Sequence, residues 1–122
     1  MSFLYVGLGG ALGAMLRYAI SQIPVKSSFP ILTLITNVIG AFAIGIIVAL
    51  AVRGNLNDNV ILFLKTGVCG GFTTFSTFSL EAYNLFKDKR TGAGITYALL
   101  SLILCLLAVM LGLSMINPGD TQ

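Results

Sequence analysis

The stretch Gly67-Val-Cys-Gly-Gly-Phe-Thr-Thr-Phe-Ser-Thr-Phe-Ser79 interrupts an otherwise apolar segment of the chain. Its paired glycines, Gly70 and Gly71, weaken a helix because glycine loses much backbone freedom when it becomes helical. Five of the seven residues from Thr73 to Ser79 carry hydroxyl groups, which can bond to backbone groups that lose their helical partners. These features predict a helix broken near its middle. Within a bilayer such a break survives only where protein covers it or where it lines a wet cavity, so the stretch indicates an ion site or a pathway.

The composition of the whole chain is that of an integral membrane protein. Of its 122 residues, 57% are hydrophobic and 9% are charged, and the mean hydropathy is +0.98. A spanning helix needs about 20 mostly apolar residues, so roughly four spans use up most of the chain. The prediction is one four-helix transmembrane domain over residues 1–122 in a cell membrane. The first apolar segment has no basic start and no convincing cleavage site, so we expect it to be retained as a span.

The polar residues argue against several classes of function. Seven Lys and Arg residues are scattered along the chain and form no patch that could follow a phosphate backbone, so no nucleic acid is expected as a partner. Histidine is absent, which removes the commonest general base and the commonest metal ligand, and no enzyme activity is expected. Cys69 and Cys105 fall within predicted spans and say little about redox compartment.

The first predicted span, 3–20, carries small residues and one charge. Gly9 and Gly13 lie one turn apart on a face suited to close helix contact. Arg17, near the end of the span, has two open interpretations. Its side chain reaches the headgroups, or its charge attracts anions at the mouth of a water-filled vestibule.

The second predicted span, 31–52, is apolar apart from a few polar residues, of which Asn37 is the most informative. Asn37 shares a helical face with Thr33, Gly40 and Ala41, so a polar group and small residues face the same neighbour. Either Asn37 ties helices together by hydrogen bonds, or it lines a pore as a donor.

The third predicted span, 60–87, is longer than one crossing requires, as two half-helices would be. Phe72, Phe75 and Phe78 recur every three residues, which indicates ordinary core packing or ring edges that contact a small anion. Glu81 is the only carboxylate in a predicted span, and it either carries protons or pairs near a helix end.

The last predicted span, 95–116, has one mildly polar stripe formed by Tyr97, Ser101 and Cys105. Four spans put both termini on one side of the bilayer, and the excess of basic residues in the loops is too small to fix the orientation. So small a bundle does not easily enclose a pore alone. Its small-residue faces favour association with a second copy, and two copies inserted in opposite orientations would form an inverted pair.

Residues from all four spans resemble the Fluc/CrcB family of fluoride channels. The matching motifs are Gly9-Gly10-x-x-Gly13-x-x-x-Arg17-Tyr18, Thr36-Asn37-x-x-Gly40 and, above all, Gly70-Gly71-Phe72-Thr73-Thr74-Phe75-Ser76-Thr77-Phe78-Ser79. No single glycine or asparagine is specific. The last motif, at this length and in the third of four spans, is highly specific.

The resemblance implies an all-α membrane protein with four transmembrane helices, assembled as an antiparallel dual-topology dimer with two fluoride pores and a central structural sodium ion. It implies that Phe75 and Phe78 present ring edges to fluoride and that Asn37 hydrogen-bonds it. The backbone carbonyls of Gly70 and Thr73 from each subunit would hold the sodium.

Three further residues are expected at the pathway by the same resemblance. Ser101 represents the family's polar track on the last helix, Thr77 lies beside the phenylalanines, and Arg17 lies at the vestibule. Cys105 and the apolar residues after it depart from that track. Some members of the family pair with a homologue, so both a homodimer and a heterodimer remain open.

The implied function is passive export of cytoplasmic fluoride down its electrochemical gradient, which lowers its toxicity. Two alternatives remain open. A proton-coupled small multidrug-type exporter also has four short spans, but in this chain Glu81 is its only candidate carboxylate. A non-transporting assembly subunit in the bilayer would use its glycines and Asn37 for helix packing alone.

Overall fold

The computed structural model describes residues 2–27, 29–54 and 56–116, and all the regular secondary structure in these ranges is helical. The elements are α1 (Ser2–Ser21), α2 (Ile31–Val52), α3 (Asp58–Ile61), a π-helical segment (Leu62–Cys69), α4 (Gly70–Phe72), α5 (Phe75–Lys87) and α6 (Thr91–Ile116). Four stretches are long and apolar enough to cross a membrane: α1, α2, the interrupted stretch Asp58–Lys87 and α6. The predicted all-α architecture with four spans and a broken third span is confirmed.

Two of the spans begin earlier than the sequence predicts. The third begins at Asp58 because the side chain of Asn57 accepts a hydrogen bond of 2.9 Å from the Val60 N–H and caps the first turn. The last begins at Thr91 and so includes Gly94, which was expected to precede the helix. A Cβ on Gly94 would lie 3.0 Å from the ring of Phe86, so glycine allows the two helices to meet there.

The small-residue face of α1 packs against the third span of the same chain. A Cβ added to Gly9 would collide with the backbone oxygen of Phe63, and one added to Gly13 would collide with that of Val68. The predicted close contact is confirmed. Its partner corrects the expectation that these glycines serve a second copy, because the chain's own third span already fills that face.

α2 and α6 form the other close pair and enclose the buried core. Gly45 and Gly112 allow their backbones to approach, since a Cβ on Gly112 would collide with the carbonyl oxygen of Phe42. Near one end of this pair, Leu34, Leu85 and Tyr97 form a buried cluster. α5 contributes to that cluster through Leu85, so the second half of the broken span is anchored to α2 and α6.

Large apolar side chains cover the outer faces of the spans. Exposed examples on α1 and α6 are Leu8, Leu12, Met15, Leu99, Leu102, Ile103, Leu106 and Met110. Lipid tails solvate such a surface as well as a protein core does. The chain is therefore a multi-pass integral membrane protein.

Candidate functional site

The helix of the third span stops at Thr73 and Thr74, whose backbones are extended. The N–H and the hydroxyl of Thr73 both donate to the carbonyl of Cys69, at 3.0 and 2.9 Å, and this ends the first half-helix. The hydroxyl of Thr74 accepts from the N–H of Thr77 at 3.1 Å and caps α5. Two threonines of the hydroxyl-rich stretch therefore form the break.

The paired glycines lie just before the break and are themselves helical. Gly71 is required by packing, because a Cβ on it would collide with the carbonyl oxygen of Gly10 on α1. The expectation that Gly70 and Gly71 weaken the helix thus located the break to within three residues. The physical cause is different, since the extended threonines end the helix and the glycine admits α1.

Asn37 of α2 bonds both backbone groups of the extended residue Thr74. Its amide nitrogen Nδ2 donates to the Thr74 carbonyl at 3.0 Å, and its oxygen Oδ1 accepts from the Thr74 N–H at 2.8 Å. The side chain replaces the helical partners that these two groups lost. An amide group carries two N–H donors, so one N–H of Asn37 remains for another acceptor. Asn37 therefore ties α2 to the break and also keeps a donor.

Arg17 of α1 satisfies a second backbone group of the break. Its Nε donates to the carbonyl of Gly71 at 3.1 Å. That carbonyl loses its usual helical partner because the chain becomes extended after Phe72. The half-buried side chain of Arg17 is thus directed at the break, although its charge still borders a small cavity.

The small cavity has a volume of about 90 Å³ and lies on one side of the break. Its lining is rich in hydroxyl groups and consists of Arg17, Tyr18, Ser21, Leu32, Thr33, Thr36, Thr74 and Thr77. Thr77, which was expected beside the phenylalanines in the pore, lies here with Arg17. These two candidate residues are therefore separated from the others.

A larger cavity, of about 600 Å³, lies between α2, the third span and α6. Six of the candidate residues line it: Asn37, Gly70, Thr73, Phe75, Phe78 and Ser101. Thr74 borders both cavities, so the break separates them. The structure thus brings together residues from three spans that lie up to 64 positions apart in the sequence.

The larger cavity contains an unsatisfied donor and an exposed ring. The Ser101 hydroxyl is buried and has no hydrogen-bond partner among the described residues. The Phe75 ring is 79% exposed and stands 5.5 Å from the ring of Phe78, tilted by 44°. An aromatic edge carries partial positive charge, so the cavity offers ring edges and the amide of Asn37 to an anion, while the Ser101 hydroxyl lies buried behind its wall.

Two carbonyls at the break remain free within the described ranges. The carbonyls of Cys69, Gly71 and Thr74 are engaged by Thr73, Arg17 and Asn37, respectively. The hydrogen bonds around the break do not use the carbonyls of Gly70 and Thr73, and both residues line the larger cavity. Free carbonyl oxygens are hard ligands of the kind that a hard cation prefers.

Glu81 and Tyr97 form a pair that the sequence did not reveal as one. The Tyr97 hydroxyl donates to Oε1 of Glu81 at 3.1 Å. Tyr97 is fully buried, with its ring 5.0 Å from that of Phe78 and 5.4 Å from that of Phe29. Both residues stood out as polar within apolar spans. Their pairing depends on the antiparallel docking of α5 and α6, for which no local motif exists.

An interrupted membrane span whose break borders two cavities, the smaller of them lined mainly by hydroxyl-bearing residues, is typical of proteins that conduct or transport small ions. The family profile described as CrcB-like protein, Camphor Resistance (CrcB), matches residues 4–113 of this chain. The chain belongs to the CrcB family, as its motifs indicate.

Curated relatives resemble this chain over most of their length. A protein from Ruminiclostridium cellulolyticum named fluoride-specific ion channel FluC is 48% identical over 88% of this chain and 85% of its own length. Proteins of the same name are 42% identical in Azobacteroides pseudotrichonymphae, over 88% of this chain and 89% of the relative, and 43% identical in Thermus thermophilus, over 90% of this chain and 89% of the relative.

Proposed function

We propose that the chain is a fluoride-specific ion channel of the cell membrane that lets cytoplasmic fluoride leave passively down its electrochemical gradient. Relatives that match this chain over most of their length carry that name. The observation that carries the proposal is the larger cavity, which the amide of Asn37 and the exposed ring of Phe75 border and behind whose wall the Ser101 hydroxyl lacks a partner among the described residues. Such a passive pathway catalyses no chemical reaction.

The lining of the cavity suits fluoride in particular. Fluoride is small and strongly hydrated, so a pore must replace its water with close donors. The hydroxyl of Ser101 and the second N–H of Asn37 supply two, and the edges of Phe75 and Phe78 supply partial positive charge that does not bind so tightly as to trap the ion. An inside-negative potential favours exit by about 2.3 kcal/mol per charge per 100 mV.

We also propose that two copies pair in opposite orientations across the larger cavity. Support comes from its position, since it opens on a face of the single chain and the outer part of the Phe75 ring is uncovered there. The small-residue face of α1 is already occupied within the chain, which leaves the broken span as the surface for association. A homodimer and a pair with a homologous chain are both compatible with this surface.

A structural sodium ion at the centre of that pair is the third part of the proposal. The carbonyls of Gly70 and Thr73 fit it, because they are free oxygen ligands beside the same cavity. One chain supplies two such oxygens, and a second chain would double the set. Among the described residues no group of three or more carboxylate, thiol or imidazole side chains could hold a metal, so backbone oxygens are the ligands on which this part depends.

Fluoride efflux from liposomes tests the main proposal. Vesicles containing the purified protein are loaded with fluoride or chloride, and release is followed with ion-selective electrodes. We expect fast release of fluoride, little release of chloride, and at least a tenfold loss of fluoride flux in Phe75→Ile. Phe3→Ile is the matched control, because Phe3 is 93% exposed on α1 and far from the cavity lining.

The outcome separates the three functions. A non-transporting assembly subunit predicts no flux from well-folded protein. A proton-coupled exporter predicts flux that responds to a pH gradient and is lost in Glu81→Gln. Equal flux in Phe75→Ile and Phe3→Ile would remove the phenylalanine from the pathway.

A further inference from the structure

Lys65 is a cation within the third span that none of the roles above uses. It lies seven residues after Asp58, or about 10 Å into the span at the rise of a helix. No hydrogen bond or ion pair joins its side chain to another residue in the part of the chain that the structure describes. Charged side chains inside spans face protein interiors or wet cavities and mark ion pathways, because hydrocarbon does not solvate them.

The larger cavity is where this charge lies. Lys65 borders it together with Asn37, Phe75 and Ser101, which are the groups that offer donors and a ring edge. In the single chain the Lys65 side chain is exposed, and no carboxylate is among the residues that line its cavity. The ligand that suits a lone cation beside ring edges and an amide is a small anion.

The two cavities that meet at the break therefore carry one cation each. Arg17 borders the smaller cavity and Lys65 the larger one, while Thr74 borders both. Arg17 is tied by its Nε to the Gly71 carbonyl, whereas Lys65 has no such bond.

We propose that Lys65 is an anion-capture residue: its ammonium group concentrates fluoride in the larger cavity and sets the rate at which the ion enters from that side. This inference rests on the proposed function. A charge in a cavity with low-dielectric walls raises the local concentration of an opposite ion, and salt weakens the effect. Because Lys65 acts on the entry of fluoride, it raises the flux at low fluoride concentration and leaves the maximal flux unchanged.

Charge variants at two lysines test this role. Initial fluoride efflux is measured for Lys65→Gln, Lys65→Arg and the control Lys87→Gln, whose site at the end of α5 borders neither cavity. Below saturation and in about 10 mM potassium gluconate, Lys65→Gln should be about 10-fold slower than wild type. In about 150 mM salt, the difference should shrink to about twofold. Lys65→Arg and Lys87→Gln should match wild type.

Two results would overturn the role of Lys65. In the first, Lys65→Gln equals Lys87→Gln in low salt, as it would if the side chain only reached the headgroups. In the second, Lys65→Gln loses the same factor at every salt and fluoride concentration, which is the signature of damaged structure. Either result leaves fluoride flux in the wild type, and hence the proposed function, intact.

A binding measurement tests the role of Lys65 without any transport assay. The ¹⁹F resonance of sodium fluoride is recorded with wild type or Lys65→Gln in detergent, and exchange with a site on the protein broadens the line. We expect at least a twofold smaller broadening with the variant, and equal broadening overturns the role of Lys65. If wild-type vesicles carry no fluoride, the proposed function fails, and this comparison still tests anion capture.

Discussion

The charged side chain of Arg17 satisfies a backbone carbonyl of the third span. Its Nε bonds to the carbonyl of Gly71, which the extended residues after Phe72 deprive of a helical partner. This contact differs from both interpretations that the sequence left open for Arg17, a side chain reaching headgroups and a charge at a vestibule. The charge still borders the small cavity, so only the cap is new.

The replacement of Arg17 by lysine separates the cap from the charge. Arg17→Lys keeps the charge but lacks the planar guanidinium whose Nε points at Gly71. We expect both Arg17→Lys and Arg17→Gln to lower the free energy of unfolding by about 1–3 kcal/mol, because either change leaves the Gly71 carbonyl without its charged donor. Unfolding in detergent measures this, with Lys87→Gln as the control for the loss of a positive charge on an exposed side chain.

A stability of Arg17→Lys equal to that of wild type would contradict the cap. In that case positive charge alone is what the position requires. If Arg17→Lys is less stable than wild type but carries fluoride as fast as wild type, the cap and the charge act separately.

At the residue scale, the sequence predicted which side chains matter better than what they contact. Asn37, Ser101 and the phenylalanines were identified because polar groups and ring stripes are conspicuous in apolar spans. The contact from Asn37 to Thr74 joins residues 37 positions apart, and that from Arg17 to Gly71 joins residues 54 apart. Such pairs depend on how helices dock, and no local pattern encodes them.

At the scale of elements, glycines set how closely the helices approach. Gly13 on α1 meets the backbone of the third span between Val68 and Phe72, just before the break, since its added Cβ would collide with the Val68 oxygen and lie 2.7 Å from the Phe72 nitrogen. Backbone atoms cannot move aside as a flexible side chain can. A single methyl group added at this position would therefore push α1 away from the third span.

Alanine substitutions on one helix test this packing. Gly13→Ala should lower the free energy of unfolding by about 1–3 kcal/mol through overpacking. Gly7→Ala is the control, because no atom lies within 4 Å of its added Cβ, and alanine there should be neutral or stabilise by up to about 1 kcal/mol. Equal stability of the two variants would show that the helices separate freely at Gly13.

The elements themselves were predicted well where periodicity is strong and less well at special backbone geometry. The bounds of α2 match the prediction at both ends. The π-helical segment Leu62–Cys69 was not predicted, because its residues are ordinary for an apolar helix. The early start of α6 was missed since Gly92 and Gly94 usually end helices, whereas here Gly94 receives the Phe86 ring.

At the scale of the whole molecule, the proposed sodium site at the carbonyls of Gly70 and Thr73 would make the proposed pair of chains dependent on a cation. Backbone oxygens that converge without a cation repel one another, and hydrocarbon offers them no donor. We therefore expect the replacement of sodium by N-methyl-D-glucamine to lower both the thermal stability of the paired chains and their fluoride flux. Size-exclusion chromatography and liposome efflux measure the two effects.

Potassium at matched ionic strength is the control for this exchange. A response that potassium restores fully would indicate a general salt effect and not a sodium site. Unchanged assembly and flux after rigorous removal of sodium would rule out a structural role for the ion.

The double contact between Asn37 and Thr74 has a mechanical consequence. A break in a helix is usually a place where two rigid halves can swing, because the peptides between them are free to rotate. Here one side-chain amide bonds both the N–H and the C=O of Thr74, which belong to the two peptide groups on either side of its Cα, so this joint is held from both sides. We therefore expect no gating motion at this joint, and we expect selection among ions to rest on the groups that line the passage.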